Sequence, residues 1–130
     1  MAQMSFDQFI RELSRVEDRV IQNVEVGINE SLEDLLSAAE ALSALDEGGH
    51  MESGSVEPVT TQGGEMIGRV GFSKEYSLRL HEDVYNLGET SRQKPDFDGM
   101  KVGRKYLERP LDKYSDKYID HIISKIEGEL

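Results

Sequence analysis

The sequence predicts an α+β fold, in which a long N-terminal helix and a C-terminal helix pack on a small antiparallel sheet built from a β-hairpin. Apolar residues recur every three or four positions near both ends of the chain, which indicates the two helices. Two segments with β-branched residues flank Gly63 and Gly64, which indicates the hairpin. Because 130 residues suit one hydrophobic core, we expect residues 1–130 to form a single domain.

The N-terminal helix is predicted to run from about Phe6 to about Leu45. Ser5 and Gln8 have the spacing of a capping box at its start. One apolar stripe follows and keeps its phase through Gly27, which favours a continuous helix over two helices joined in a hairpin. Such a helix would be roughly 60 Å long, which is more than a small domain needs to cover its own core. We therefore expect part of the stripe to face a neighbouring molecule.

The β-hairpin is predicted over about residues 53–73. Its first strand lies in the segment SGSVEPVTTQ and its second in EMIGRVGFS, with the glycine pair at the turn. Pro58 has no N–H to donate to a neighbouring strand. We therefore expect the first strand to lie at a sheet edge or to contain a bulge.

A long loop and a final helix are predicted for the C-terminal part of the chain. Residues 88–103 contain three glycines, one proline and few aliphatic residues, so we predict a mobile loop. A loop of this length in a small domain has a role in function or assembly, or else is disordered. The final helix is predicted over about residues 109–128, because Pro110 is tolerated only in a first turn.

The charge of the chain excludes several function classes. The net charge is −11, and residues 1–60 hold 13 acidic against 3 basic residues, whereas residues 61–130 hold 13 against 12. Such an acidic surface repels phosphate backbones, so we expect no sequence-specific binding of nucleic acid. The chain has no cysteine, no apolar run long enough for a membrane span and no signal-peptide pattern at its N-terminus. We therefore expect a protein that is made in the cytoplasm and does not associate with membranes.

His81, Glu82 and Asp83 are the residues that most suggest a metal or catalytic site. Adjacent residues point to opposite faces of a strand, or about 100° apart on a helix, so these side chains would not converge on one ion. The other histidines, His50 and His121, have no ligand-type partner at helical spacing. We predict no catalytic residue, no metal site, no cofactor and no enzymatic activity. Tyr106 and the other C-terminal tyrosines stand among leucines and isoleucines, which favours packing over a base-stacking surface.

A basic strip contrasts with the acidic N-terminal half. Between positions 92 and 105, Asp96 and Asp98 are outnumbered by five basic residues, namely Arg92, Lys94, Lys101, Arg104 and Lys105. The strip is either a solvated loop or the surface that meets the acidic N-terminal helix of another copy. We favour the second interpretation, because the long helix also needs a partner.

Two short segments, together with the order of the elements, suggest a family. The first segment follows the hairpin and reads Tyr76-Ser77-Leu78-Arg79-Leu80-His81-Glu82. The second opens the last helix and reads Lys105-Tyr106-Leu107-Glu108-Arg109-Pro110-Leu111. In this order and spacing the chain resembles the head-tail joining and tail-completion proteins of tailed bacteriophages. It departs from their pattern at Ser77, where alanine is usual, and in the turn before the hairpin, which lacks a threonine.

The resemblance implies a fold like that of connector and tail-terminator proteins and a structural role in the neck of the virion. It implies a ring of six or twelve copies, joined to other neck, portal-side or tail-tube proteins, through which DNA passes without sequence-specific binding. Residues that we expect at the subunit interface or in assembly are Tyr76, Leu80, His81, Glu82, Arg92, Lys94, Lys101, Arg104, Lys105, Tyr106 and Leu107. The alternative is a small cytosolic helical dimer that acts as a protein-interaction module through the N-terminal stripe.

Overall fold

The α+β prediction is confirmed. The computed structural model describes residues 6–44, 50–62, 65–73, 77–82 and 87–127. The elements, in chain order, are α1 (Phe6–Leu42), β1 (Gly54–Gln62), β2 (Glu65–Phe72), α2 (Ser77–Glu82), α3 (Glu89–Arg92) and α4 (Glu108–Ile126), with a 3-10 turn at Met51–Ser53. Three predicted features lie outside the described residues, namely the cap at Ser5, the Gly63-Gly64 turn and Tyr76.

α1 is one continuous helix through Gly27, as the unbroken phase of its apolar stripe predicted. α4 crosses α1 at this glycine, because a Cβ placed on Gly27 would lie 3.1 Å from the backbone Cα of Ile122. The two helices run antiparallel, since Tyr118 Oη donates a 2.8 Å hydrogen bond to Asp34 and Lys125 Nζ lies 2.9 Å from Glu30. The glycine that weakens the helix locally therefore permits the closest helix contact in this region.

The hairpin packs one face on α1. β1 and β2 are antiparallel, and their register shifts between Glu57 and Thr60. Pro58 lies within this bulge, which agrees with the expectation from its missing N–H. The next residue, Val59, donates its N–H to Asn29 Oδ1 of α1 at 2.8 Å. The side chain of Leu32 fills the space beside Gly68, where a Cβ would meet its Cδ1 at 2.5 Å.

The core lies at the C-terminal end of α1. Ala39, Leu42 and Tyr106 form its buried centre. Partly buried side chains packed against this centre are Phe72, Leu80, Phe97, Met100 and Leu107. Loop residues therefore contribute to the core alongside the regular elements.

The segment predicted as a loop contains structure that the sequence analysis missed. Helix α3 lies in it. Asp98 and Gly99 have φ values of 48° and 79°, and the flanking residues Phe97 and Met100 exchange two backbone hydrogen bonds of 2.8 Å. This is the geometry of a two-residue turn with positive φ at both positions, for which Asp-Gly is a preferred sequence. Gly103 then donates its N–H to the carbonyl of Leu42 at 2.8 Å, which attaches the segment to the end of α1.

The N-terminal part of α1 extends past the elements that pack on the helix. The contacts of Asp34 with Tyr118 and of Glu30 with Lys125 place the end of α4 level with about residue 26 of α1. On the hairpin side, Thr61 Oγ1 lies 3.3 Å from Glu25. Residues 6–22, which we call the overhang, therefore project roughly 25 Å past the described ends of α4 and the hairpin. Among the α1 residues whose burial the structure describes, fully buried positions begin only at Gly27.

Candidate assembly site

The two segments that suggested the family lie against each other. α2 carries the first segment, and its C-terminal end is covered by Arg104 and by the start of the second segment. Lys105 donates its N–H to the carbonyl of His81 at 2.8 Å, and Arg104 Nε donates to the carbonyl of Glu82 at 2.8 Å. The last carbonyls of a helix have no partner within the helix. Arg104 and the second segment therefore supply hydrogen bonds to two carbonyls at the end of α2.

Tyr106 fixes this arrangement from inside the core. Its side chain is 2 % exposed, and its hydroxyl donates a 2.6 Å hydrogen bond to the carbonyl of Ser77 at the start of α2. Its ring makes edge contacts with His81 and Phe72, with centroids 4.8 Å and 5.2 Å away. A single side chain thus joins α2, β2 and the start of α4. Tyr106 is thus packed in the core of its own chain, whereas the sequence favoured packing without separating the core from a subunit interface.

His81 connects the end of α2 to the start of α4. The backbone N–H of Glu108 points at His81 Nε2 across 3.3 Å, and Nδ1 of the same ring lies 2.9 Å from Glu82 Oε1. Because Nε2 accepts a hydrogen bond here, the ring proton is on Nδ1 and is donated to Glu82. The imidazole therefore satisfies one of the unpaired N–H groups at the start of α4. The His81 ring therefore bonds to the backbone of its own chain and to Glu82.

Glu82 and Lys105 form an ion pair at the surface of this site. Lys105 Nζ contacts Glu82 Oε2 and lies 3.2 Å from Glu108 Oε2. The hydrogen bond from Lys105, followed by that from His81, lowers the pKa of Glu82. The hydrogen bonds to Glu82 and Glu108 raise the pKa of Lys105. These shifts favour the charged forms, and solvent screens their contribution to stability.

His50 and Ser77 form a second, buried polar contact that the sequence analysis did not identify. His50 is fully buried, and its Nδ1 lies 2.7 Å from Ser77 Oγ. The His50 ring also packs on Phe72 with centroids 4.7 Å apart. Ser77, where the family pattern has alanine, is 4 % exposed and is held by this hydrogen bond. The pair therefore fixes the 3-10 turn region against α2 from inside the molecule.

Most of the predicted basic strip bonds to its own chain. Lys94 Nζ donates to the carbonyls of Ser43 at 2.7 Å and Glu40 at 3.1 Å, at the C-terminus of α1. Partial burial lowers the pKa of Lys94. Arg92 Nε donates to the carbonyl of Leu87 at 2.8 Å, and Lys101 is exposed. Binding of this strip to the acidic helix of another copy stays a prediction, but several of its charges are already used within the chain.

Arg109 is a site residue that sequence reasoning missed. Its guanidinium donates to the carbonyls of Lys101 at 2.6 Å, Lys105 at 3.3 Å and Gly103 at 3.4 Å. The planar fork of arginine suits several acceptors at once. Lys105 and Gly103 have positive φ values of 60° and 140°, so Arg109 stabilises a chain path that is unfavourable in isolation. Only its place inside the second family segment indicated a role.

A cleft lies beside this site, and Leu107 is one of the predicted residues that line it. Leu80 and Leu107 are half-buried and pack on the core. The cleft has a volume of about 500 Å³ between β2, α2 and the start of α4. Its lining includes Leu35, Val70, Phe72, Leu107 and Leu111 together with the carboxylates of Glu82 and Glu108. The groove is therefore mainly apolar, and Lys105 is paired with both of these glutamates.

Two further tests concern metals and membranes. Within the described ranges, no three or more histidine, aspartate or glutamate side chains are grouped so that they could hold a metal ion. None of the described helices combines the length and the apolarity that crossing a membrane requires.

No protein-family model matches this chain, and no curated protein or solved structure is significantly similar to it. The resemblance to phage neck proteins therefore rests on the two segments, their order and the elements around them.

Proposed function

We propose that this chain is a structural subunit of the neck of a tailed bacteriophage, a ring-forming head-tail connector or tail-completion protein. The observation that carries the proposal is the overhang of α1. A helix of 37 residues is longer than the hairpin and α4 that pack on it, and its N-terminal part projects past both. A chain built in this way finds cover for that part in an assembly.

The apolar stripe of α1 continues into the overhang. Around the helix axis Val20 lies about 40° and Val16 about 80° from the direction of the core position Leu42, so both are on the side of the stripe. Both valines are partly exposed in the single chain. Removing such surface from water is favourable by roughly 25 cal/mol per Å². Copies arranged around an axis would bury this apolar surface at every subunit contact, because each copy presents the same patch to the next copy.

The docking of the two segments on which the resemblance rests also supports the proposal. α2 and the start of α4 are far apart in sequence, yet Tyr106, His81 and Lys105 each join one segment to the other. This explains why the order and spacing of the two segments matter for the fold. In a connector subunit, α2 and the start of α4 would together form a rigid base from which α1 projects.

The distribution of charge suits a channel for DNA. Between Arg19 and Arg69 the chain has ten acidic residues and no lysine or arginine. A ring that turned this surface to its lumen would repel the phosphate backbone, so DNA would pass without binding. In this proposal the partners are further copies of the chain and the neighbouring neck, portal-side or tail-tube proteins.

The proposal is tested in lysates of a phage that lacks this gene product. We expect filled heads and finished tails that have not joined, seen by negative-stain electron microscopy, and joined particles after the wild-type gene is supplied in trans. Joined, infectious particles in the lysate without the gene product would remove the assignment. A salt-tolerant dimer of the purified chain, together with normal particles, would instead indicate the interaction module.

A further inference from the structure

α4 exposes a mixed apolar and acidic surface. Ile119 and Ile123 are 53 % and 45 % exposed. Asp112, Asp116 and Asp120 are exposed at intervals of four residues on the same side of the helix. We call these five residues the α4 ribbon. Within the described part of the chain, none of the three carboxylates makes a hydrogen bond or ion pair.

Lys113 and Lys117 of α4 do not neutralise the negative charge of this ribbon. Lys113 Nζ contacts the carbonyl of Asp98 and lies 3.5 Å from its carboxylate, while Lys117 Nζ lies 3.9 Å from Asp34 of α1. Both lysines are therefore directed away from the aspartates of their own helix. Like charges at a spacing of four destabilise a helix. The ribbon would thus be stabilised by a partner that offers cations at the same spacing and apolar cover for the isoleucines.

The overhang of α1 offers that pattern. Arg11, Arg15 and Arg19 are the three basic residues of the first sixty, and they are exposed at intervals of four. Arg15 and Arg19 also interact within their own chain, so a carboxylate from a partner would add to those contacts or replace them. The arginine and aspartate rows have the same length and the same pitch, roughly 12 Å from first to last Cα. The aliphatic stems of the arginines are long enough to cover exposed isoleucines.

We propose that the overhang of one copy lies along the α4 ribbon of the next copy, with the arginine row against the aspartate row. The inference rests on the proposed function, since it supplies one contact of the ring. It uses the side of the overhang that carries the arginine row, which is turned by about 120° on average around the helix axis from Val16 and Val20, and it leaves most of the apolar stripe for other cover.

The ring also sets the direction of the pairing. Successive copies in a ring of six are rotated by about 60°, so the neighbour's α1 is inclined to the chain's own α1 by no more than about 60°. That helix runs antiparallel to α4. The pairing is therefore antiparallel, with Arg11 against Asp120, Arg15 against Asp116 and Arg19 against Asp112.

Charge reversal tests the pairing. The full chain is compared by sedimentation velocity, at rising protein concentration and at two salt concentrations, with an arginine-row variant (Arg11→Glu, Arg15→Glu, Arg19→Glu) and an aspartate-row variant (Asp112→Arg, Asp116→Arg, Asp120→Arg). An exposed ion pair contributes up to about fivefold in affinity. We expect each variant alone to associate at least about tenfold more weakly than wild type at low salt. An equimolar mixture of the two variants should recover the association, because each reversed row then meets its complement.

The control is a charge exchange at an exposed ion pair that lies outside the proposed interface. Glu57 and Arg69 form an exposed pair on the hairpin at 3.6 Å, and exchanging the two residues should leave association unchanged. Circular dichroism shows whether each variant keeps its helices. Wild-type association that is absent or insensitive to salt, row variants that associate like wild type, or a mixture that does not recover would each overturn the interface.

Cysteine cross-linking tests the direction, because the chain has no native cysteine. An Arg11→Cys, Asp120→Cys variant should form intermolecular disulfides, whereas Arg11→Cys, Glu108→Cys should not. The opposite result, or no cross-link in either variant, would overturn the antiparallel contact. The phage complementation test separates the two proposals. Row variants that restore joined particles while the mixture fails to associate would remove the interface and leave the neck function.

Discussion

The two ends of α1 differ in what covers them. At the C-terminal end, Ala39 and Leu42 are fully buried, and the carbonyls of Glu40 and Ser43 accept hydrogen bonds from Lys94. At the N-terminal end, the overhang projects past α4 and the hairpin. Apolar residues recur with the same helical periodicity in both halves of α1. The two halves therefore differ in the elements that pack on them. The difference suggests that one half holds the fold together and the other is available for assembly.

The largest expected effect is the loss of Tyr106 at the covered end. Tyr106→Ala removes a buried ring that contacts α2, β2 and His50, and we expect the free energy of unfolding to fall by about 3–5 kcal/mol. Urea denaturation followed by circular dichroism measures this. The matched control is Val16→Ala in the overhang, where we expect a change within about 0.5 kcal/mol. Equal losses of unfolding free energy in Tyr106→Ala and Val16→Ala would mean that the N-terminal half of α1 stabilises the fold as much as the covered half does.

A smaller effect is expected at the boundary between the halves. Gly27→Val would press a branched side chain against the backbone and side chain of Ile122. We expect a loss of about 1–3 kcal/mol, because α4 must move or strain. Val26→Leu is the control one residue away, since Val26 is 48 % exposed, and it should change stability by less than about 0.5 kcal/mol. Unchanged stability of Gly27→Val would mean that α4 does not cross α1 there in solution.

The comparison also shows what the sequence could predict. The continuity of α1, α4 and the hairpin followed from local periodicity, and the bulge at Pro58 followed from a missing N–H. The Asp98-Gly99 turn carried a recognisable local signal that was overlooked because the segment was taken as one loop. These features depend on residues close in sequence, so inspection of the sequence alone can find them.

The contacts that build the candidate site lacked such a signal. The bonds of Tyr106 to Ser77, His50 to Ser77 and Lys94 to Ser43 join residues 29, 27 and 51 positions apart. No local pattern specifies which backbone carbonyl a distant side chain will reach. The resemblance marked the two segments as important and left their mutual docking undetermined. The arginine row of the overhang was likewise overlooked, because the N-terminal half was treated as uniformly acidic.

The smallest expected effect concerns the pH dependence of the covered end. Hydrogen bonds from Lys105 and His81 hold the pKa of Glu82 below its ordinary value of 4.5. A carboxyl with a lowered folded-state pKa stabilises the fold above its unfolded-state pKa, and this contribution is lost as the pH falls through the folded-state pKa. Glu82→Gln should therefore make the free energy of unfolding less dependent on pH below about 4.5 and leave the slope near neutral pH unchanged. Glu57→Gln on the exposed hairpin is the matched control, and urea denaturation between pH 3 and pH 7 is the measurement. An acid slope that matches wild type in Glu82→Gln would mean that Glu82 and Lys105 are not paired in solution, so that Tyr106, the His81 ring and backbone hydrogen bonds join α2 to the second segment without this ion pair.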